Sequence, residues 1–192
     1  MNESQLPNER PDAYVLRLAQ AKARAALAVG TSAQVILASD TTVVDGELIL
    51  GKPSGPEEAA VMLRSLRGRQ HQVLTALAVL RVADELLLTD LCRTQVPMRD
   101  YTEAELQAYV SSGDPLDKAG AYAIQHAGFH PVAHLEGCFA SVMGLPLCHV
   151  VRTLSKLGFS LPPGVDVPTA CQIHLDYSCP IYEAVLKGEE IG

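Results

Sequence analysis

The chain has no tryptophan, only three phenylalanines among its 192 residues, and few basic residues. Its 15 lysines and arginines stand against 22 aspartates and glutamates, which gives a formal net charge of -7. This shortage of positive charge argues against the broad basic face that a nucleic-acid polymer requires for its phosphates. We therefore expect no nucleic-acid polymer as a partner, although a small local cluster of lysines could still bind a free nucleotide.

Long apolar runs and a disulfide pattern are missing as well. No stretch reaches the roughly 18 uncharged apolar residues that span a bilayer, and residues 1–5 have neither the basic start nor the apolar run of a signal peptide. The five cysteines are an odd number, and Cys92, Cys138 and Cys148 have apolar neighbours, as reduced buried thiols do. We expect a cytoplasmic protein without disulfide bonds and without a membrane partner.

The hydrophobic content of 48% is high enough for a sizeable core in a chain of this length. Residues 1–160 contain the regular apolar patterns, so we predict one domain there. The segment 161–192 begins with a Pro-Pro-Gly sequence and is predicted to be a carboxy-terminal extension with a short helix near residues 182–186.

Apolar periodicity predicts alternating helices and strands, which indicates an α/β protein. Helices are expected over residues 11–28, 54–66, 102–111 and 146–157. Strands are expected over residues 35–40, on both sides of a tight turn at 45–46, in a long hairpin formed by 72–82 and 85–96, and over 121–125 and 132–135.

Two polar residues flank the tight turn. Asp40 ends the first predicted strand, and Lys52 follows the turn, so the hairpin is expected to bring Lys52 back towards Asp40. Phosphoryl chemistry needs a carboxylate that holds a cation or orients water, and a cationic group that neutralises phosphate oxygens. Taken alone, such an Asp is more often a cap and such a Lys a surface residue, so the pair by itself names no reaction.

A second group of polar residues lies in the glycine-containing segment 112–125. It includes the carboxylates of Asp114 and Asp117, the amine of Lys118 and the amide of Gln125. Glycines in such a loop let the backbone approach a ligand closely. The alternative is an ordinary solvated turn that precedes a strand.

Seen together, these stretches form an ordered series of motifs. The series comprises Leu18-Ala19 with Lys22-Ala23, Ser39-Asp40-Thr41, Gly51-Lys52-Pro53, Gly68-Arg69, Asp117-Lys118-Ala119-Gly120, Ile124-Gln125 and Gly144-Leu145-Pro146-Leu147. From Glu3 to about Leu157 the chain resembles the Maf family of nucleoside-triphosphate pyrophosphatases. The resemblance implies an α/β fold of the Maf and ITPase-like kind, with a mixed sheet, flanking helices and two lobes around a central cleft. It also implies cleavage of a nucleoside triphosphate to the monophosphate and pyrophosphate, with Mg²⁺ or Mn²⁺ as cofactor.

The same resemblance assigns roles to individual residues. It implies that Asp40 is the catalytic carboxylate and that Glu3 and Asp40 share the metal. It further implies that the substrate is bound by Thr41, Lys52, Lys118 and Gln125, with Lys22 as a weaker candidate. The Asp-Lys-Ala-Gly and Ile-Gln sequences match the subgroup associated with dTTP and UTP. Relatives also suggest a homodimer.

The chain departs from the family pattern at its start. Family members carry a strand and a Ser-x-Ser-Pro-Arg-Arg loop before the acidic residue matched by Glu3, and this segment does not precede Glu3 in the given sequence. Two interpretations stay open. Either the natural start lies further upstream, or the chain is a shortened relative that binds nucleotides with weakened catalysis or none.

Overall fold

The computed structural model describes residues 3–189 and 191. Its sheet consists of β1 (Val35–Asp45), β2 (Leu48–Leu50), β3 (Gln70–Arg81) and β4 (Leu86–Pro97). The α-helices among the described residues are α1 (Pro11–Ala28), α2 (Pro56–Leu66), α3 (Glu103–Ser111), α4 (Phe139–Val142), α5 (Leu147–Lys156), α6 (Val167–Leu175) and α7 (Tyr182–Leu186). Within this part of the chain, no helix is long and apolar enough to cross a bilayer.

The sheet has the strand order β2-β1-β3-β4, and its described pairs are all antiparallel. The β1–β2 turn contains Gly46 at a φ of +64°, a conformation that glycine adopts without steric cost. The hairpin of β3 and β4 pairs Arg81 with Leu86 next to its turn. The predicted α/β class, with helices that flank a sheet, is confirmed, and so are both hairpins.

Helices cover the two faces of the sheet, and β1 contributes to both layers. On one face, α1 packs its small buried residues Ala19 and Ala23 against β1 and β3, in a cluster that includes Val44. On the other face, α2 and α3 enclose a larger cluster that includes Val43. Because side chains alternate along a strand, neighbouring residues of β1 belong to different layers.

The strands predicted over 121–125 and 132–135 are wrong. Residues Ala119–Ala121 form a 3-10 turn, and after it only an isolated bridge joins Val132 to Met98. Ala121 has a φ value of +60°, which an extended strand cannot contain. The apolar residues of this segment pack into the core as an irregular loop instead.

The segment after residue 160 packs against the rest of the fold. The predicted short helix is α7, and α6 was missed although Asp166 caps it by accepting from the backbone N–H of Thr169 at 3.1 Å. Val185 of α7 is fully buried, and the guanidinium of Arg152 in α5 donates to the carbonyl of Glu189 at 2.6 Å. The extension therefore contributes to the core.

The five cysteines are all free, as predicted. Cys92, Cys138 and Cys148 are buried, and Cys92 and Cys138 share an apolar cluster with residues of α6. They serve as small core residues in this structure.

Candidate active site

A cavity of about 250 Å³ opens on the α2 side of β1. It receives Thr41 from β1, Lys52 from the segment after β2, and Lys118 and Gln125 from the loop that follows α3. The remaining lining side chains are mostly apolar: Val43, Val73, Ala119, Tyr122, Ala123, Val142 and Met143. The structure thus brings together the four residues predicted to bind substrate, although they come from three separate segments.

A glycine lets the loop that carries Lys118 lie directly on β1. Gly120 has a φ of +68°, and its backbone N–H donates to the carbonyl of Gly51 at 3.0 Å. A Cβ at this position would lie 2.9 Å from a methyl group of Val43. Only glycine fits this approach without displacement, and the approach holds the Lys118 loop beside the segment of Lys52.

Two lysines supply the positive charge of the cavity. The Lys118 ammonium lies 2.7 Å from a carboxylate oxygen of Asp117 and donates to the Asp114 carbonyl at 3.0 Å. The bond to Asp117 raises the pKa of Lys118 above its usual value, so the amine is charged. Lys52 is exposed and lines the same cavity. The hydrogen bond from Lys118 is the main cause that lowers the pKa of Asp117, and the charge of Lys52 adds to it.

A chain of hydrogen bonds runs from the cavity into the core. The hydroxyl oxygens of Thr41 and Thr75 are 2.9 Å apart, and the Thr75 hydroxyl donates to the Ser141 carbonyl at 2.8 Å. Thr75 and Ser141 are fully buried, whereas Thr41 is partly exposed. No role was predicted for Thr75 or Ser141 from the sequence. The pairing of β1 with β3, which sets Thr41 opposite Thr75, is the pattern that would have indicated the first of them.

Asp40 lies on the other face of β1. Its carboxylate accepts from the Lys22 ammonium at 2.6 Å, on the side covered by α1, and it is not among the residues that line the cavity. Burial raises the pKa of Asp40, and the contact with Lys22 counteracts that rise. The hairpin therefore brings Lys52 to Thr41, the neighbour of Asp40, but not to the same cavity as Asp40.

Glu3 lies on the face of Asp40 as well. Its carbonyl accepts from the Tyr14 hydroxyl at 2.9 Å. Burial is the main cause that raises the pKa values of Asp40 and Tyr14, and the charge of Glu3 adds to both rises. Arg17, which was not predicted, lowers the pKa of Asp40 and binds Glu9 at 2.6 Å. This face thus carries two neighbouring carboxylates with cationic groups around them.

The pairing of β1 changes along its length. The short strand β2 pairs only with Val43, Val44 and Asp45, while the earlier residues of β1 pair with β3 alone among the described residues. Asp40 and Thr41 lie in this earlier part, next to each other and on opposite faces of the strand.

His71 supports the cavity from inside the core. The side chain is buried, and its Nε2 lies 2.8 Å from the Tyr122 hydroxyl. Burial lowers the pKa of His71 to about 4, so the ring is neutral at neutral pH. Its partner Tyr122 lines the cavity, and His71 supports that wall from behind.

Comparison with known proteins gives a consistent family. The family described as Maf-like protein matches residues 1–157. Proteins named dTTP/UTP pyrophosphatase are similar: one from Dehalococcoides mccartyi is 42% identical over 149 residues, which are 78% of this chain and 66% of that protein. One from Anaeromyxobacter dehalogenans is 45% identical over 84% of this chain and 81% of its own length. One from Shewanella denitrificans is 46% identical over 82% of this chain and 79% of its own length. The chain thus spans slightly under two thirds of the Dehalococcoides protein and about four fifths of the other two.

Proposed function

Since this chain belongs to the Maf family, we propose that it is a nucleoside-triphosphate pyrophosphatase that acts on dTTP- and UTP-like nucleotides. The observation that carries the proposal is the cavity in which Thr41 and Gln125 meet Lys52 and Lys118. A hydroxyl and an amide suit a base edge, and two ammonium groups suit phosphate oxygens. Relatives named dTTP/UTP pyrophosphatase support the choice of nucleotide.

The size and lining of the cavity suit a small base. Its volume of about 250 Å³ lies just below the roughly 300–1,000 Å³ range of ligand pockets. Val43, Val73 and Tyr122 offer apolar contact area, and Gln125 is an exposed amide at the mouth. In this proposal the base enters the cavity, and the triphosphate leaves it past Lys52 and Lys118.

The adjacency of Asp40 and Thr41 in β1 supports a route from the cavity to Asp40. In this proposal the α-phosphate lies near Thr41 and reaches the carboxylate of Asp40, which contacts Lys22. There Asp40 accepts a proton from a water molecule whose oxygen attacks the α-phosphorus. The bond to the β-phosphate oxygen breaks, pyrophosphate departs, and the nucleoside monophosphate remains.

A divalent cation fits the two carboxylates of this face. Within the part of the chain that the structure describes, no group of three or more His, Cys, Asp or Glu side chains is placed to hold a metal. Mg²⁺, however, is commonly bound through one or two carboxylates together with water and substrate phosphates, so Glu3 and Asp40 would suffice. When bound, the cation supplies charge stabilisation to the phosphate oxygens.

Further expectations from the sequence belong to the same proposal. A cytoplasmic location and a homodimer fit a nucleotide-processing enzyme, and residues 1–160 are proposed as its pyrophosphatase domain. The competing candidate is a protein that binds nucleotides without turnover. It is favoured by the tight contact of Lys22 with Asp40, which keeps the carboxylate occupied until a ligand draws Lys22 away.

The test uses purified protein, Mg²⁺ or Mn²⁺, and a panel of nucleoside triphosphates. Products are identified by chromatography, and UTP and dTTP are expected to give the monophosphate and pyrophosphate. Release of inorganic phosphate with a nucleoside diphosphate would contradict the proposed bond cleavage. Binding of UTP by calorimetry without any product would support the competing candidate instead.

A further inference from the structure

We propose that Thr75 is a positioning residue that turns Thr41 into a fixed hydrogen-bond acceptor, and that this acceptor selects pyrimidines that carry an N3–H group. The inference rests on the proposed function, because it takes the cavity as the base site. It adds a buried residue that touches no ligand and a physical reason for the choice between uracil and cytosine.

The proton positions follow from two distances. The oxygens of Thr75 and Ser141 are 2.8 Å apart, and the Ser141 oxygen is a carbonyl that cannot donate. Two acceptors this close repel unless a proton lies between them, so the Thr75 hydroxyl donates to Ser141. A threonine has one hydroxyl proton, so Thr75 has none left for Thr41.

The hydroxyl proton of Thr41 is then used in a hydrogen bond to Thr75. The two threonine oxygens are 2.9 Å apart, and since Thr75 has given its proton to Ser141, Thr41 must donate to Thr75. The partly exposed Thr41 oxygen keeps only lone pairs for the cavity. Thr75 is fully buried, so water cannot replace it as the acceptor for Thr41.

A fixed acceptor distinguishes the pyrimidine bases. Uracil and thymine present an N–H donor at ring position 3, whereas cytosine presents a lone pair there. The lone pairs of Thr41 attract the first kind of base and repel the second. Gln125 cannot make this distinction alone, because it is exposed and its amide both donates and accepts.

The surrounding backbone holds the Ser141 end of the chain in place. The Gly144 N–H donates to the same Ser141 carbonyl at 2.9 Å, and a Cβ on Gly144 would lie 3.4 Å from the Thr41 hydroxyl oxygen. The turn at Gly144 therefore fixes the carbonyl and leaves room at Thr41. Its φ of +114° is one that other residues rarely adopt.

The experiment measures kcat and KM for UTP and CTP with wild type, Thr75→Val and Thr75→Ser. Wild type is expected to prefer UTP. In Thr75→Val the Thr41 hydroxyl can rotate and donate, so the UTP/CTP ratio of kcat/KM is expected to fall about tenfold, mainly through KM. Thr75→Ser keeps the hydroxyl and is expected to keep the ratio. If Thr75→Val does not fold, Thr75→Cys, whose thiol is a weak donor, takes its place.

A wild-type measurement with N3-methyl-UTP completes the design, because this nucleotide lacks the N3–H donor. At least a tenfold loss of kcat/KM relative to UTP is expected. The inference is overturned if wild type treats UTP and CTP alike, if it accepts N3-methyl-UTP as well as UTP, or if Thr75→Val keeps the wild-type ratio. Equal loss of the ratio in Thr75→Ser and Thr75→Val would also overturn it, since the loss would then not depend on the hydroxyl. Absence of turnover on every nucleoside triphosphate would refute the proposed function itself.

Discussion

Asp40 and Thr41 are neighbours in the chain, yet their side chains serve different faces of β1. Thr41 lines the cavity, while Asp40 contacts Lys22 beneath α1. The sequence motif identified both residues, but the predicted strand ended at Asp40, although β1 continues to Asp45, so their placement on opposite faces was not predicted. The motif could not indicate the bond from Thr41 to Thr75 or the one from Thr75 to Ser141, because those partners are 34 and 66 residues apart. Such contacts depend on tertiary packing.

At the residue scale, Lys52 is predicted to bind phosphate. Lys52→Gln is expected to raise KM for UTP about tenfold or more, because a charged hydrogen bond is worth roughly 1.5–3 kcal/mol. Lys52→Arg keeps the charge, so its KM for UTP should lie closer to the wild-type value. Lys156→Gln, an exposed lysine at the end of α5, is the matched control. Equal KM values for Lys52→Gln and Lys156→Gln would contradict the role of Lys52.

His71 is predicted to make stability depend on pH. Its folded pKa of about 4 lies below the ordinary value of 6.5, because burial disfavours the charged ring. The unfolded chain therefore takes up the proton first as pH falls. Because of His71, the free energy of unfolding decreases by about 3 kcal/mol between pH 6.5 and 4. Above pH 6.5 this contribution is fully present.

Urea denaturation at pH 7 and at pH 4 measures the effect. The loss of unfolding free energy is expected to be about 3 kcal/mol smaller in His71→Gln than in wild type. Both proteins carry the same remaining titratable groups, so their difference isolates His71. Parallel pH profiles would show that the ring is not kept neutral by the fold.

At the element scale, local patterns predicted most of the fold. The bounds of α1 and the two hairpins follow from a proline start, apolar periodicity and a tight turn, all of which lie within a few residues. Residues 121–125 and 132–135 were mistaken for strands, since their apolar residues mimic a strand, while the turn at Gly120 that precedes them is packed against Val43 of β1. Tertiary contact overrides local preference here.

Gly120 is where that contact is tightest. Gly120→Ala is expected to destabilise the protein by about 2 kcal/mol or more, since it combines a strained φ with a 2.9 Å approach to Val43. It should also raise KM for UTP, because the loop carries Lys118. Thermal unfolding and steady-state kinetics measure the two effects.

Gly113→Ala is the matched control for this substitution. Gly113 has a similar φ of +78°, but a Cβ there meets nothing within 4 Å. The Gly113→Ala variant is expected to lose only about 1 kcal/mol of unfolding free energy and to keep the wild-type KM for UTP. Equal effects at the two glycines would show that the contact with Val43 is unimportant.

At the scale of the whole molecule, the extension after residue 160 is predicted to unfold together with the domain. Val185 is fully buried against α5, whereas Ile173 of α6 is 76% exposed. Val185→Ala is expected to lower the free energy of unfolding by about 2 kcal/mol and so to lower the temperature of the whole thermal transition. Ile173→Ala is expected to leave the transition unchanged. A separate early transition in Val185→Ala, with the main one unmoved, would show that the extension is an independent appendage.

The whole-molecule account assigns binding to one face of β1 and chemistry to the other, and the neighbouring residues Thr41 and Asp40 join the two. Asp40→Asn tests this division most directly, because it removes the charge that accepts the proton and leaves the cavity intact. The measurement combines UTP turnover with calorimetric UTP binding, both in Mg²⁺. The account predicts that kcat falls at least a hundredfold, while UTP still binds within about tenfold of its wild-type affinity. Turnover at the wild-type rate by Asp40→Asn would contradict it.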